Sequence, residues 1–201
     1  MSKKTGIVGT GNMGGGMAKR LLDLGWPVYV HDLDTIKQSE LQTAGAHGCA
    51  HAAAVAQAAE VVIVCVIDAS QVQQVFDGPH GLLAGLHAGQ TVVMCPTIAP
   101  ADTEHFAQQL NQNGYSTWVG TLNAADYGVP QTRKRAILLA RNDGKPATPP
   151  PPTHHQNPHT SLKPWKTMTE ALGWEPGNIS TRKKYVRDQT GTPIDLTWPD
   201  H

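Results

Sequence analysis

The sequence predicts an α/β protein built on a doubly wound parallel sheet, with a mixed antiparallel edge and a loop-rich C-terminal tail. Over the first 118 residues, apolar runs alternate with segments of helical periodicity, as right-handed crossovers between parallel strands require. After Gly114 the alternation stops. Two strand-like runs, YSTWVGTLNAADYG and RAILLARNDG, then follow each other without an intervening helix, so we expect them to add antiparallel pairing.

The first two strand–helix units carry clear boundary signals. TGIVG predicts a strand, and a helix from about Asn12 places Met13, Met17 and Leu21 along one apolar stripe. PVYVHD predicts the second strand, and Asp34 is a suitable N-cap for the helix that follows it.

The later elements of this half continue the same alternation. AHGC predicts a short strand and AHAAAVAQAAE a helix, while VVIVCV has the unbroken apolar character of a strand covered on both faces. Asp68 is placed to cap a helix that contains Val72, Val75 and Phe76. TVVMC predicts another buried strand, and PADTEHFAQQLNQNG a helix with Phe106 and Leu110 inward.

The tail has a different composition. KPATPPPPTHHQNPHT contains four consecutive prolines and predicts an extended linker, and KTMTEALGW is a short helical candidate. The remaining residues lack periodicity and predict loop or disorder. We therefore divide the chain into a dinucleotide-binding domain at 1–118, a strand pair at 119–144, and a linker with an irregular tail at 145–201.

Composition narrows the class of protein. No apolar run approaches the roughly 20 residues that cross a membrane, and the start of the chain has no signal core. Cys49, Cys65 and Cys95 show no CxxC spacing, which favours reduced thiols in a cytoplasmic protein. Residues 1–118 carry 5 Lys and Arg against 9 Asp and Glu, and residues 119–201 carry 11 against 7. This asymmetry fits either polyanion contact by the second half or an ordinary solvated surface.

GTGNMG is the strongest motif in the sequence. It places Gly9, Gly11 and Gly14 between a strand and a helix, where a Rossmann-like fold binds the pyrophosphate of a dinucleotide at the helix N-terminus. Asp32, 18 residues after Gly14, ends the second strand, where a carboxylate can accept hydrogen bonds from both ribose hydroxyls. A glycine-rich packing turn is the alternative. NAD is the expected cofactor, because Asp32 and Asp34 would repel the 2′-phosphate of NADP.

Residues 4–114 resemble the cofactor domain of the β-hydroxyacid dehydrogenase family, which includes 3-hydroxyisobutyrate and 6-phosphogluconate dehydrogenases. The matching segments are GIVGTGNMGGGMAKRLL, VYVHD, VVIVCV and GLLAGLHAGQTVVMCPTIAPAD. The resemblance implies that Met13, beside Asn12, flanks the pyrophosphate and that Val66 and Ile67 line the site. It places Thr97 near the nicotinamide ribose, although Pro96 stands where the family usually has serine.

The second half resembles another family, the DNA cytosine-5 methyltransferases. YGVPQTRKR matches their Gln-x-Arg-x-Arg motif with Gln131, Arg133 and Arg135, and the resemblance covers about residues 110–175. It implies contact with DNA through the arginines, which on one side of a strand would suit phosphate oxygens. A solvated strand entrance is the alternative, and any DNA binding should be weak and non-specific.

Both families need residues that this sequence does not supply. The dehydrogenase substrate loop and catalytic lysine do not follow residue 114, and no lysine before Lys134 lies in a matching position. The methyltransferase Pro-Cys pair and methyl-donor glycine motif do not occur; Cys95-Pro96 has the reverse order. We therefore expect a chimera joined near 105–118 that binds NAD, has no S-adenosylmethionine site and catalyses neither reaction. The alternative is a methyltransferase remnant that binds DNA weakly.

The histidines after the proline run are candidate metal ligands. His154, His155 and His159 could ligate a metal ion, but a flexible polar linker is the more economical interpretation of that stretch.

Overall fold

The computed structural model describes residues 2–157 and 161–173, together with the backbone of 185–187 and 193–195. The chain forms two compact units, Met1–Leu122 with Arg135–Pro150 and Asn123–Lys134 with Pro151–His201. Among the described residues, no helix has both the length and the apolar character that a bilayer span demands.

Seven strands form the main sheet, in the order β3-β2-β1-β4-β5-β7-β6. Their bounds are β1 Thr5–Val8, β2 Val28–His31, β3 His47–Gly48, β4 Val61–Val64, β5 Thr91–Met94, β6 Ser116–Asn123 and β7 Lys134–Arg141. The pairs from β3 to β5 are parallel. β7 pairs antiparallel with β5, with Val92 opposite Ala140. The predicted parallel sheet with a mixed edge is confirmed.

Six helices connect or flank these strands. They are α1 Asn12–Asp23, α2 Thr35–Thr43, α3 Ala52–Ala58, α4 Ala69–Phe76, α5 Leu82–Gly85 and α6 Pro100–Gln112. The predicted N-caps are confirmed: Asp34 accepts from the amides of Ile36 and Lys37, and Asp68 accepts from the amide of Gln71. The short helix α5 has no counterpart among the elements predicted from the sequence.

The sheet separates two hydrophobic clusters. Ile7 packs with Ala18 of α1 and Leu41 of α2 on one face, whereas Val8 packs with residues of α3 to α6 on the other. Adjacent residues of one strand serve both clusters because side chains alternate across a sheet. We predicted that both faces of the VVIVCV strand would be buried, and the structure shows this only in part. Val62 and Val64 of β4 are fully buried, but Val61 and Ile63 are half-buried.

The second unit contains short elements. Ala124–Tyr127 form a 3₁₀ turn, β8 His154–His155 pairs parallel with β9 Lys163–Pro164, and α7 spans Met168–Leu172. Thr167 and Glu170 form a capping box on α7, within the predicted helical segment. β10 Tyr185–Arg187 pairs antiparallel with β11 Pro193–Asp195. The rest of the tail, for which we predicted loop or disorder, lies outside the described residues.

Candidate cofactor site

The glycine loop joins β1 to α1 and is packed too tightly for side chains at two positions. Gly9 has φ +90°, and a Cβ there would lie 2.5 Å from the carbonyl oxygen of Cys65. A Cβ on Gly14 would lie within 2.0 Å of the Gly9 carbonyl oxygen. Since real Cβ atoms do not approach backbone this closely, the loop depends on glycine at both positions.

Gly11 differs from its neighbours because it faces open space. A Cβ at Gly11 would meet no atom within 4 Å. Gly11 is also the N-cap of α1 and provides no side-chain hydrogen bond to the first turn. The amides at the start of this 12-residue helix therefore lack a side-chain acceptor, and an approaching anion can accept from them.

Asn12 and Met13 lie on the first turn of α1, beside this opening. Asn12 is exposed, and Met13 is 52% exposed. Met17 and Leu21 are half-buried against the cluster around Ile7. The helix predicted from about Asn12 is confirmed, and Met13 on its first turn does not share the burial of Met17 and Leu21.

Asp32 is held by three hydrogen bonds at the end of β2. Its Oδ2 accepts from the amide of Thr10 at 2.5 Å and from the hydroxyl of Thr10 at 2.9 Å. Its Oδ1 accepts from the amide of Asp34 at 2.8 Å. Partial burial acts to raise the pKa of Asp32, but these bonds and the charge of Lys37 outweigh it and leave the pKa below its ordinary value. Asp32 is therefore a fixed anion near neutral pH.

The residues after β4 and β5 lie at the same edge of the sheet as Gly9 and Asp32. Register places Val8, His31, Val64 and Met94 at matching positions along their strands. Val66 is half-buried and would lie 2.9 Å from a Cβ on Gly9, so these two residues are neighbours. Ile67 and Thr97 are exposed. The structure gives no direct contact between Thr97 and the glycine loop.

Sequence reasoning missed three residues of this site. Thr10 occupies a variable position of the glycine motif, so the motif says nothing of its bond to Asp32. Leu33 and Ile36, which follow Asp32 along the chain, are 85% and 71% exposed. Their signal was available in the sequence, since two large apolar residues follow a strand end that otherwise carries polar groups. Apolar surface beside a carboxylate suits a base attached to a ribose.

The cysteines do not have the character of nucleophiles. Burial raises the pKa of all three, and the pKa of Cys95 reaches about 11 through burial and the nearby Cys65. Reactive cysteines have a lowered pKa, so that a thiolate is present near neutral pH. All three are free of disulfide bonds.

The basic segment is more irregular than predicted. Gln131 and Arg133 precede β7, in the second unit, and only Arg135 lies within the strand itself. All three side chains are exposed. The carbonyl of Arg133 accepts from the amide of Ala124 at 2.9 Å. The predicted pair of arginines on one strand is therefore wrong for Arg133, because the ladder begins one residue later.

The second unit has its own polar cluster around Asp126. Its Oδ1 accepts from the indole of Trp165 at 2.9 Å, and its carbonyl accepts from the amide of Thr153 at 2.9 Å. His154 is 8% exposed and lies against Gly128. His154 and His155 belong to β8, whereas His159 lies outside the described residues. Within the described part of the chain, no three potential ligands are grouped as a metal site.

The fold and the glycine loop define a nicotinamide dinucleotide-binding Rossmann domain. Residues 4–121 match the family model for the NAD binding domain of 6-phosphogluconate dehydrogenase, and the chain belongs to this family. A second family model, that of C-5 cytosine-specific DNA methylase, matches residues 99–195. The two matches overlap at 99–121, and both predicted resemblances are confirmed.

Individual relatives are dehydrogenases. L-threonate dehydrogenase of Cupriavidus necator is 32% identical over 114 residues, which cover 57% of this chain and 38% of that protein. Mitochondrial 3-hydroxyisobutyrate dehydrogenase of Mus musculus is 29% identical over 116 residues, covering 57% and 35%. The chain thus spans less than two-fifths of the length of these relatives.

Solved structures agree with this assignment. Psf3 in complex with NADP+ and 2-OPP is 33% identical to this chain. The two structures superpose with a TM-score of 0.52, and the match covers 58% of this chain and 42% of that one. A 3-hydroxyisobutyrate dehydrogenase from Salmonella typhimurium is 27% identical, with a TM-score of 0.53 and coverage of 66% and 47%.

Proposed function

We propose that this chain is an NAD-binding module of β-hydroxyacid dehydrogenase ancestry that has no catalytic competence of its own. The observation that carries the proposal is the open backbone at Gly11, beside the uncapped start of α1 and the fixed carboxylate of Asp32. A pyrophosphate fits the first feature and a ribose the second. Gly9, Asn12, Met13, Gly14, Val66, Ile67 and Thr97 complete the proposed binding set.

The proposed organisation follows the two family matches. Residues 1–118 would be the dinucleotide-binding domain, 119–144 a methyltransferase-like strand pair, and 145–201 a proline-rich linker and tail. The overlap of the matches at 99–121 supports a junction of two ancestries near 105–118. Helix α6 followed by Gly114, with φ +81°, and then a strand is an arrangement that both parents can share.

We infer that NAD is preferred to NADP on electrostatic grounds. Lys37, the nearest cation in sequence, forms an ion pair with Asp34 at 3.2 Å. The 2′-phosphate of NADP would therefore meet the negative charge of Asp32. One unfavourable charge contact of this kind costs about 1–3 kcal/mol, or roughly tenfold to a hundredfold in affinity.

Calorimetric titration of NAD, NADP and S-adenosylmethionine into the purified chain tests the proposal. We expect saturable NAD binding, weaker NADP binding and no heat from S-adenosylmethionine. Asp32→Ala should reduce the preference for NAD, while Asp23→Ala, an exposed carboxylate at the end of α1, should leave it unchanged. Equal or tighter binding of NADP to the unmodified protein would refute the assignment.

A second candidate function is weak, non-specific DNA binding by the second half. The match of residues 99–195 to a DNA methylase and the exposed side chains of Gln131, Arg133 and Arg135 favour it. Duplex binding that depends strongly on salt, without any response to NAD, would make this the leading function.

A further inference from the structure

Thr10 makes the most specific contact of the candidate site. Its amide and its hydroxyl both donate to the same oxygen, Oδ2 of Asp32. Thr10 is 4% exposed, so water has little access to this pair of bonds. A buried hydroxyl that donates to an ionised carboxylate forms a charge-assisted hydrogen bond, which is stronger than a neutral one.

These bonds limit how many further hydrogen bonds the carboxylate of Asp32 can accept. A carboxylate oxygen offers about two lone-pair sites, and Thr10 occupies both on Oδ2. Oδ1 accepts one bond from the amide of Asp34. One acceptor site on Oδ1 therefore remains for a ligand, whereas the sequence predicted that Asp32 would receive both ribose hydroxyls.

We propose that Thr10 is a positioning residue that sets the choice between NAD and NADP by fixing the carboxylate of Asp32 in one orientation. This inference rests on the proposed NAD-binding function. The fixed carboxylate presents one acceptor to a ribose hydroxyl and cannot rotate away from a 2′-phosphate. Asp32 supplies the negative charge, and Thr10 fixes the orientation of the carboxylate that carries it.

Thr10→Val tests the proposal because valine has nearly the shape of threonine and lacks the hydroxyl. The amides of Thr10 and Asp34 still hold Asp32 in this variant, but the Oδ2 that loses the hydroxyl can turn away from a 2′-phosphate. NADP affinity should therefore rise relative to NAD affinity, so that the ratio of the two dissociation constants changes by about threefold to tenfold. Thr10→Ser keeps the hydroxyl and should restore the ratio. Thr43→Val, which removes an exposed hydroxyl at the end of α2, is the remote control.

A change in the ratio of the two affinities separates positioning from general damage. If Thr10→Val weakens NAD and NADP equally, Thr10 only supports the loop and the proposal is overturned. A ratio equal to that of the unmodified protein also overturns it. In an Asp32→Ala background, Thr10→Val should have no further effect on the ratio, because the two residues act as one unit.

A measurement on the free protein distinguishes failure of the inference from failure of the proposed function. The amide resonance of Thr10 should shift as Asp32 is protonated, and Thr10→Ser should retain this response. If the resonance does not follow Asp32, the contact itself is absent and the inference fails. If it does follow but neither cofactor binds, the NAD-binding function fails, and the specificity role fails with it.

Discussion

The hydroxyl of Tyr115 lies 3.2 Å from Oε1 of Gln90 and 3.1 Å from the carbonyl oxygen of His87, and it can donate its one proton to either acceptor. Gln90 is fully buried, and its amide nitrogen donates to the carbonyls of Ala56 and Ala59. Its Oε1 also accepts from the amide of His87 at 2.9 Å. Tyr115 lies within the overlap of the two family matches. A residue at the proposed junction therefore completes the hydrogen bonding of the dehydrogenase-like part.

Replacing Gln90 by leucine should destabilise the protein strongly. The substitution removes the partner of the carbonyls of Ala56 and Ala59 and of the amide of His87, whereas the Tyr115 hydroxyl retains the His87 carbonyl. We expect the free energy of unfolding to fall by about 2–4 kcal/mol in equilibrium urea unfolding.

Tyr115→Phe is the matched variant for that measurement. It removes one hydroxyl and should cost about 1 kcal/mol, since the other bonds of Gln90 remain. If Gln90→Leu is as stable as the unmodified protein, then water or a local rearrangement of the chain satisfies the polar groups that lost Gln90 as a hydrogen-bond partner.

Gly11→Val should separate cofactor binding from folding. No atom lies within 4 Å of a Cβ at Gly11, so the free variant should fold, with a loss of at most about 1 kcal/mol because valine is a poorer N-cap than glycine. Its branched side chain would occupy the space proposed for the pyrophosphate, so stabilisation by NAD should disappear. Thermal unfolding with and without NAD measures both effects.

Two other glycines of α1 serve as controls. Gly16 also faces open space, and Gly16→Ala should keep the response to NAD while adding about 0.5–1 kcal/mol of stability. Gly14→Ala should destabilise the free protein, because its Cβ would collide with the Gly9 carbonyl. A NAD response that survives in Gly11→Val would place the pyrophosphate elsewhere.

Much of the fold could be predicted because its signals are local. The caps at Asp34 and Asp68 follow from one side chain at a helix start, and the antiparallel β7 follows from the missing crossover helix. Gln90 could not be predicted as a core residue. Its burial depends on the carbonyls of Ala56 and Ala59, more than 30 positions away in sequence, and polar residues in a turn normally face solvent.

The candidate site likewise contains residues that the sequence shows directly and contacts that only the folded structure shows. Gly9, Gly11, Gly14 and Asp32 have fixed spacings that the sequence displays. The contact of Thr10 with Asp32 spans 22 positions and becomes visible only when β1 and β2 are paired. The start of β7 at Lys134 likewise depends on pairing, so the sequence could not show that Arg133 precedes the strand.

Stability should depend on pH through Asp32. Because its folded pKa is lowered, its contribution is fully present above the unfolded pKa and is lost as pH falls through the folded value. Asp32→Asn should therefore unfold at a lower temperature than the unmodified protein near pH 7. The difference should narrow below about pH 4, the ordinary carboxyl range.

Asp143 provides a second acid-range comparison. Its hydrogen bond with Arg141 lowers the pKa of Asp143 to about 2, so its effect should persist until the pH approaches that value. Thermal unfolding of both asparagine variants across the acid range measures the two effects. An Asp32 difference that does not change between neutral and acid pH would contradict the assigned hydrogen bonds.

We predict that the chain catalyses neither hydride transfer nor DNA methylation. Oxidation of a hydroxy acid needs a positioned proton acceptor, and cytosine methylation needs a thiolate nucleophile. The pKa of Cys95, about 11, leaves that thiol protonated near neutral pH. NADH formation with small β-hydroxy acids and transfer of labelled methyl groups to duplex DNA should stay at background. Background is set by Gly11→Val for the first assay and Cys95→Ser for the second. Turnover above either would contradict the prediction.

Any binding to DNA should come from the second half and depend strongly on salt. Arg133 is exposed within the methylase-like segment, and cations that bind phosphates release condensed counterions. We expect the affinity for a labelled duplex to decline linearly with salt on logarithmic axes and to show no sequence preference.

Arg133→Gln should reduce the magnitude of that slope by about 0.9, the value of one phosphate contact. Arg20→Gln, an exposed cation in the last turn of α1, is the matched control and should leave the slope unchanged. Equal effects of both substitutions would mean that attraction is a property of the whole surface. Sequence-selective binding that persists at about 200 mM salt would instead require base contacts, and would make DNA recognition a function of the second half.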